Sequence, residues 1–446
     1  MKYTFPEGLY TDVRIEHVFS TEIAYTMENL QDCKEKKYSA AFIRVYDGAM
    51  WYNASTSDLK GIQDEINALA KLAKPNPNIA DAPIYKNLSA HKDVVMAFVG
   101  REVSGVPLQD KIQLLHKTMP FIKDNKYVKM WRLWYTDNYT VKEFYNSKGA
   151  DIIFDWQQCG FNASFTMMDG DRKMDESCSV PGISFSDLKG FEDDLIKALA
   201  ECEEFMLNSV AVEPGKYPVI FAPFVTGVFV HECFGHKSES DFMIGDEATR
   251  QEWKLGKKVG GDDLTIVETG NIIGNGYTPY DDEGNKATMT YLIKNGELTG
   301  RLHHAASATD LEEGVTGNGR AMSFEYEPLV RMTTSYIDKG SKTFEELIAE
   351  TENGILVKTL AHGSGMSTFT IAPRISYLVK NGKIDKPVRV SVVTGNVFEA
   401  LGDIDGISDK VEMWSFIGGG CGKMEQYPLP VGFGGPYIRV KNMTVQ

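Results

Sequence analysis

The sequence predicts an α+β protein, in which a mixed α/β amino-terminal domain is followed by a β-rich carboxy-terminal domain. Two amphipathic helical stripes lie in the first half of the chain, and short strands with Gly-rich turns dominate the second half. A break at Glu213-Pro214-Gly215-Lys216 separates the two patterns. We therefore place the domains at residues 1–210 and 211–446, with a further split of the first domain near residue 100 as an alternative.

The helices are predicted from apolar residues that recur every three or four positions. One stripe runs from Ser57 to Lys74, and the other runs from Leu188 to Met206. Strand-like runs at Val94–Val99 and Ile152–Trp156 alternate with these helices. This alternation indicates a mixed α/β arrangement in the amino-terminal part.

The β-hairpins are predicted from Asn-Gly and Asp-Gly pairs, which supply the positive φ angles that tight turns require. Three such pairs follow runs of β-forming residues: Asp47-Gly48, Asn295-Gly296 and Asn381-Gly382. Two of the three lie in the second half of the chain. They support a β-rich carboxy-terminal domain.

Composition excludes several classes of function. The 446 residues carry 47 Lys and Arg against 62 Asp and Glu, a net charge of −15, which argues against direct binding to nucleic acid or to anionic membranes. The longest apolar run, Val219–Val230, is too short to span a bilayer, and the amino terminus lacks a secretory pattern. We expect a cytoplasmic protein whose six cysteines are mostly buried free thiols.

The strongest chemical signal is the string His231-Glu232-Cys233-Phe234-Gly235-His236. Two imidazoles beside a glutamate are typical of a zinc site, but a spacing of five residues sets side chains about 140° apart on a regular helix. Both histidines reach one metal only if the helix bulges, widens to a π-turn or ends between them. We expect Gly235 to permit that distortion. A capped, buried helix end without a metal is the alternative interpretation.

A catalytic zinc has three protein ligands and one open position, so a third ligand must come from elsewhere. The best donor by residue type is Cys421, which lies in a Gly-rich string. That string is not a phosphate-binding loop, because Ile417 and Met424 stand where Gly and Ser or Thr are required. His303 and His304 rank lower, since neighbouring residues on a strand point to opposite faces. Four histidines are isolated and are interpreted as surface or core residues: His17, His91, His116 and His362.

Several separated strings carry a family resemblance. In chain order they are Asn146-Ser147-Lys148-Gly149, the HECFGH string with Glu239 and Asp241-Phe242, Asp281-Asp282-Glu283-Gly284, Thr316-Gly317-Asn318-Gly319-Arg320, Arg331-Met332-Thr333, Cys421-Gly422-Lys423 and Leu429-Pro430-Val431-Gly432-Phe433-Gly434. Through them the chain resembles the TldD/PmbA family of metallopeptidases, whose members are also described as modulators of DNA gyrase. The resemblance runs over most of the chain and is densest from Pro218 onward.

The resemblance implies that His231, His236 and Cys421 hold a zinc ion (Zn2+) and that Glu232 is the catalytic glutamate. It implies an active subunit that works either as a homodimer or as a heterodimer with a partner that lacks the motif. It also implies substrates that are peptides or unfolded and small proteins. The chain departs from the family pattern mainly in its amino-terminal half and in Ala361–Arg374, so substrate choice is the least transferable property.

The leading hypothesis is therefore a zinc-dependent metallopeptidase in which Glu232 acts as general base. An extended peptide would add as a strand to an exposed sheet edge near the metal. Arg320, Arg331 and Lys423 are candidates either for stabilising an oxyanion or for structural ion pairs. One alternative is a non-catalytic, metal-stabilised regulator or scaffold that acts on DNA gyrase through protein contacts. A weaker alternative is a metal-dependent amidase for small molecules.

Overall fold

A computed structural model describes residues 2–365 and 367–446 of the chain. Its first part is a seven-stranded sheet of unusually long strands, most of them antiparallel. The strands are β1 (Tyr10–Thr26), β2 (Asn29–Tyr46), β3 (Trp51–Thr56), β4 (Lys92–Val95), β5 (Val128–Asn146), β6 (Asp151–Asp169) and β7 (Arg172–Gly182). They are arranged in the order β3-β2-β1-β5-β6-β4, and β7 pairs with a second stretch of β6.

Helices flank this sheet, and the three longest of them cover one of its faces. They are α1 (Ile62–Leu72), α2 (Pro83–Lys86), α3 (Leu108–Lys123) and α4 (Glu192–Asn208), with 3₁₀ turns at Ile79–Asp81, Val103–Gly105 and Phe185–Leu188. Because side chains alternate along a strand, Val13 and Ile15 of β1 pack with α1, and Ile23 and Tyr25 pack in the core that includes α3 and α4. The alternate residues of β1, such as Asp12 and Arg14, point to the other face of the sheet, and this face meets the second part of the chain.

That second part contains two larger sheets. Its strands are β8 (Val210–Ala211), β9 (Gly215–Phe221), β10 (Ile266–Thr269), β11 (Met289–Lys294), β12 (Glu297–Leu298), β13 (Gly319–Arg320), β14 (Leu329–Val330), β15 (Thr334–Ile337), β16 (Asn353–Val357), β17 (Leu360–Gly365), β18 (Thr368–Pro373), β19 (Ser376–Lys380), β20 (Lys383–Arg389), β21 (Val393–Asn396), β22 (Ile404–Ile407), β23 (Glu412–Ser415), β24 (Cys421–Lys423), β25 (Gln426–Leu429), β26 (Gly432–Gly435) and β27 (Ile438–Val445). Six strands form the sheet β12-β11-β10-β15-β26-β23. Ten form the sheet β17-β18-β21-β27-β9-β16-β19-β20-β8, with β22 paired to β27.

A buried helical segment packs among these strands and carries the HExxxH string. The helices of this part are α5 (Pro223–Phe229), a π-helix (Val230–Gly235), α6 (His236–Ser238), a 3₁₀ turn (Ser240–Met243), α7 (Glu247–Glu252), α8 (Ala305–Asp310), α9 (Phe344–Ala349) and α10 (Val397–Gly402). Pro223 begins α5, where its missing N–H has no helical partner to lose. Phe229 and Phe234 bury the segment against Phe369 and Trp253. A helix that is apolar on all sides belongs in a core, as this one does.

The three predicted hairpins are confirmed. Asn295 and Gly296 have φ of 50° and 75°, and Asn381 and Gly382 have φ of 50° and 73°. Each pair closes a two-residue turn between paired strands. Asp47-Gly48 lies in the longer β2–β3 connection. The predicted helices are shorter than their stripes, and α3 was not predicted. All six cysteines are free, and Cys33 is the exposed one. No helix within the described ranges has both the length and the apolar character needed to cross a membrane.

A buried ion network joins the polar face of the first sheet to the second part of the chain. Arg44 pairs across the interface with Glu283 at 3.2 Å. Asp282 accepts from Lys142 Nζ at 2.7 Å, and Arg14 lies 3.7 Å from the same carboxylate. Asp282 and Glu283 are nearly inaccessible to solvent. The acidic string is therefore a docking element between the two sheets.

Candidate metal centre

Three side chains from two distant segments converge on one point. His231 and His236 come from the π-helix and from the start of α6, and Cys421 comes from β24. One donor atom from each residue lies within 4.8 Å of the other two. Cys421 Sγ is 3.5 Å from His236 Nε2, and the two imidazole rings lie 5.2 Å apart between centroids. These are the three residues that the sequence predicted as metal ligands.

The π-helix explains how a five-residue spacing brings two histidines together. A π-turn holds more residues than an α-turn, so side chains five positions apart fall on the same face. Val230–Gly235 forms this widened turn between two α-helical segments. The expectation of a widened turn is confirmed by this geometry.

The expected role of Gly235 is wrong in its mechanism. Its φ of −57° and ψ of −50° are ordinary helical values, so its conformational freedom is not used. Instead, a Cβ at this position would lie only 2.1 Å from Met332 Sδ. Gly235 is needed because the Met332 side chain packs directly against the helix backbone.

The Cys421 hairpin is held by cationic side chains that contact its backbone. Arg331 donates to the carbonyl of Cys421 at 2.7 Å, and Arg320 donates to the carbonyl of Pro430 at 2.9 Å. Lys423 is ion-paired instead, with Asp241 at 2.7 Å. In the structure all three candidate cations hold the frame of the site.

Electrostatics favour a thiolate beside an imidazolium when the site holds protons instead of a metal. Burial disfavours the charged forms of both groups, but their mutual attraction and hydrogen bonding outweigh it. The pKa of His236 is raised to about 10, with Cys421 and Glu239 as the stabilising partners. The pKa of Cys421 lies well below its usual range, because both histidine rings stabilise the thiolate.

Glu232 lies beside the three donors but is not one of them. Its side chain is partly exposed, in contrast to the buried His231. A Cβ placed on Gly363 of β17 would lie 3.7 Å from Glu232 Cγ, so the glutamate lies against this strand. Since β17 ends the ten-stranded sheet, Glu232 adjoins a sheet edge.

The donor set fits zinc. Two imidazoles and one thiolate are ligands that zinc prefers, and three protein ligands leave the fourth tetrahedral position open. His231 Nδ1 is buried and has no hydrogen-bond partner within residues 2–365 and 367–446. A buried polar atom without a partner is unfavourable, and a cation bound at this ring would offset that cost.

The remaining histidines lie outside the set of converging donors. His303 is buried and contacts Ser240 and Glu313, and His304 accepts from the Ser307 N–H at the start of α8. Neither one is among the three converging donors. Three of the isolated residues, His17, His91 and His116, lie in the amino-terminal part, and His362 is exposed on β17.

One residue of the site was given no role from the sequence. Glu239 is fully buried, and its Oε2 lies 3.3 Å from His236 Nδ1 and 3.1 Å from Lys423 Nζ. The signal that could have found it is a carboxylate three residues after a ligand histidine, one helical turn away.

A cavity of about 240 Å³ lies between the polar face of the first sheet and the Cys421 hairpin. Trp156 and Lys142 line it from the first sheet, and Arg320 and Leu429 line it from the second part. Leu429 pairs directly with Cys421 in the hairpin, so the cavity ends one strand away from the candidate ligand.

Comparisons with known proteins agree with this geometry. A family profile described as the PmbA/TldA metallopeptidase C-terminal domain matches residues 214–446. A metalloprotease of Synechocystis (slr0863) is 28% identical over all of this chain and 98% of its own length. A zinc metalloprotease TldD homolog of Saccharolobus solfataricus is 28% identical over 98% of this chain and 96% of its own.

Solved structures share the fold. TldE from Thermococcus kodakarensis superimposes with a TM-score of 0.77 at 16% identity, covering 98% of this chain and 96% of its own. A candidate modulator of a DNA gyrase from Thermotoga maritima gives a TM-score of 0.80 at 19% identity, with the same coverage. The architecture described above is therefore one that experimental structures contain.

Proposed function

Because the chain belongs to the TldD/PmbA family of metallopeptidases, we propose that it is a zinc-dependent enzyme that hydrolyses peptide bonds in peptides and in unfolded or small proteins. The observation that supports this most strongly is the convergence of His231, His236 and Cys421 within 4.8 Å. Two of these residues flank the turn that carries Glu232. The proposed base thus lies between the two histidines on one buried helical segment.

In this proposal the three converging side chains hold zinc. When bound there, the metal supplies a Lewis acid that polarises the scissile carbonyl and makes water acidic near neutral pH. The Cys421 thiolate contributes one negative charge, as a carboxylate does in His-His-Glu sites. The cationic residues that hold the Cys421 hairpin keep its backbone fixed during the reaction.

Glu232 is the proposed general base. Its carboxylate accepts a proton from the attacking water and passes it to the leaving amine nitrogen. Partial exposure suits this role, because the carboxylate must reach both water and substrate. Its position against Gly363 points to where the substrate lies.

The proposed substrate platform is β17. This strand has β18 as its one neighbour in the described sheet, so its outer edge is free to pair with an added strand. Ala361, His362 and Ser364 on it are exposed. A peptide that binds there through main-chain hydrogen bonds would pass Glu232 with little dependence on side-chain identity.

The test is mass-spectrometric detection of cleavage products from a mixture of unfolded peptides, with zinc-loaded wild type and Glu232→Gln side by side. Glu345→Gln, an exposed residue at the start of α9, is the matched control. We expect wild type and control to cleave, and Glu232→Gln to bind zinc without cleaving. Cleavage by Glu232→Gln at the wild-type rate would refute the role of this residue.

Absence of cleavage by the wild type would favour the regulator hypothesis, and the next step would be to add a partner subunit. We propose that the chain works as a homodimer or as a heterodimer with a relative that lacks the motif. Light scattering of the purified chain, alone and with such a relative, distinguishes the two assemblies. A strictly monomeric and active enzyme would contradict both.

A further inference from the structure

Glu239 contacts both segments that supply the candidate ligands. Its Oε2 is shared by His236 Nδ1 at 3.3 Å and Lys423 Nζ at 3.1 Å. Lys423 is two residues from Cys421 on the same short strand, although His236 and Cys421 are 185 positions apart in sequence. One carboxylate oxygen therefore bridges the helix that carries His236 and the hairpin that carries Cys421.

We infer that Glu239 is a positioning residue for the metal centre. By accepting a hydrogen bond from Nδ1, it orients the His236 ring so that Nε2 faces Cys421 Sγ and is available to bind the metal. Through Lys423 it also fixes the distance between the two ligand segments. This inference rests on the proposed function, which assigns zinc to His231, His236 and Cys421.

The hydrogen bonding of Lys423 supports a fixed geometry. Lys423 Nζ donates to the Asp241 carboxylate at 2.7 Å and to the Val330 carbonyl at 2.9 Å, and it forms an ion pair with the Glu239 carboxylate at 3.1 Å. The Lys423 side chain is almost fully buried. Because three groups hold the ammonium in a buried site, it has little freedom to move, and the Glu239 carboxylate that it pairs with is fixed as well.

The hydrogen bonding of Glu239 itself argues against a purely structural role. Its side chain is completely buried, yet Oε1 has no hydrogen-bond partner among the residues that the structure describes. Burying half of a carboxylate without a partner is unfavourable for stability. A residue retained for packing alone would be better replaced by an apolar one, whereas orientation of His236 requires the carboxylate.

The experiment measures zinc affinity of the metal-free full chain by competition with a chromophoric chelator. The variants are Glu239→Ala and Glu239→Gln. Glu252→Gln is the matched control. Glu252 pairs at 2.9 Å with Lys237, the residue next to His236, but it takes no part in the Glu239–Lys423 ion pair that joins the two ligand segments. Thermal unfolding of the metal-free forms reports whether each variant folds.

We expect Glu239→Ala to weaken zinc binding by about 10- to 100-fold, the usual effect of removing such an outer partner. Glu239→Gln, which keeps an acceptor for Nδ1–H but loses the charge, should fall between Glu239→Ala and wild type. The control should match wild type. A folded Glu239→Ala that binds zinc as tightly as wild type would overturn the inference. If Glu239→Ala does not fold, equal affinity of Glu239→Gln and wild type overturns it.

A second readout is the His236 ring in the zinc-loaded wild type, followed by NMR of the ring nitrogens. We expect Nε2 to bind the metal and Nδ1 to carry a proton that exchanges slowly with solvent, and we expect faster exchange of that proton in Glu239→Ala. Binding of zinc by Nδ1 in place of Nε2 would overturn the inference. Failure of the wild type itself to bind zinc would instead refute the proposed function, so the two failures are distinguishable.

Discussion

Replacement of Gly235 by alanine tests whether close packing against Met332 holds the π-helix in place. A Cβ on Gly235 would lie 2.1 Å from Met332 Sδ, 3.2 Å from Cε and 3.5 Å from Cγ. Non-bonded carbon contacts are favourable at about 3.5–4.0 Å. Met332 must therefore move by more than an ångström, in a core where it is completely buried.

The size of the effect follows from two opposing terms. Overpacking of a well-packed core costs about 1–3 kcal/mol. Alanine in place of glycine within a helix returns up to about 1 kcal/mol. We expect Gly235→Ala to reduce the free energy of unfolding by about 1–2 kcal/mol. Because Gly235 precedes His236, we also expect weaker zinc binding.

The assay is a double-mutant cycle on the metal-free full chain, measured by urea denaturation. Met332→Ala alone leaves a cavity and should destabilise by about 2–5 kcal/mol. In the double variant the new methyl group meets no sulfur. The loss of stability in the double variant should therefore be smaller than the sum of the two single losses by about 1–3 kcal/mol. Gly105→Ala is the matched control, because a Cβ there would meet nothing within 4 Å.

The reasoning would be refuted by a Gly235→Ala variant with the stability and zinc affinity of wild type. It would also be refuted if the two substitutions were strictly additive, because the clash with Met332 would then not be the cause. Loss of stability in the Gly105→Ala control would show that any new methyl group is harmful, independent of the site.

Three further outcomes follow from the structure. Burial alone would raise the pKa of Asp282, but Lys142 and Arg14 lower it to about 2. The ionised carboxylate therefore contributes stability above its unfolded pKa, and this stability is lost as pH falls from about 4 to 2. Asp282→Asn should lower the free energy of unfolding by about 2 kcal/mol at pH 7, and urea titrations should show the difference from wild type shrinking below pH 4. Lys148 donates to backbone carbonyls of α2 and the residues after it; Lys148→Met should make that segment more sensitive to limited proteolysis without changing zinc affinity. Cys421→Ser should retain the fold but lose zinc on dialysis, as measured by metal analysis, because a neutral hydroxyl is a much poorer ligand than a thiolate.

The local chemistry of the site was predictable because short-range geometry determines it. A spacing of five between His231 and His236 forces a departure from the α-helix in any fold in which both bind one metal. The Asn-Gly turns were predictable for a similar reason, since their positive φ angles depend on two adjacent residues. These inferences required no knowledge of the tertiary structure.

The long strands were not predictable from the same signals. Along β1, charged residues such as Asp12 and Arg14 alternate with Val13 and Ile15. Because charged residues are uncommon in strands, a strand that buries them on one face gives only a weak strand signal in the sequence. Arg14 pairs with Asp282, and Arg44, the partner of Asp12, pairs with Glu283, so the string near residue 282 that completes this network is brought close only by the tertiary fold. Helix α3 was missed although its apolar residues recur at helical spacing as clearly as those of α4; Pro120 lies inside it, and proline normally argues against a helix interior. The domain boundary at 210/211 and the roles of the site residues stay predictions.

The strings of the family resemblance from Asp281 onward form a frame between the first sheet and the candidate metal centre. The Asp282 carboxylate accepts from the Ala321 N–H, and Arg320 next to it donates to the carbonyls of Met332 and Pro430. Met332 packs on the backbone of the π-helix, and the neighbouring Arg331 holds the Cys421 carbonyl. These contacts connect Asp282, which pairs with the first sheet, to both segments that carry the candidate ligands. Removal of one member should therefore alter metal affinity over a distance, whereas removal of Glu232 should alter catalysis alone.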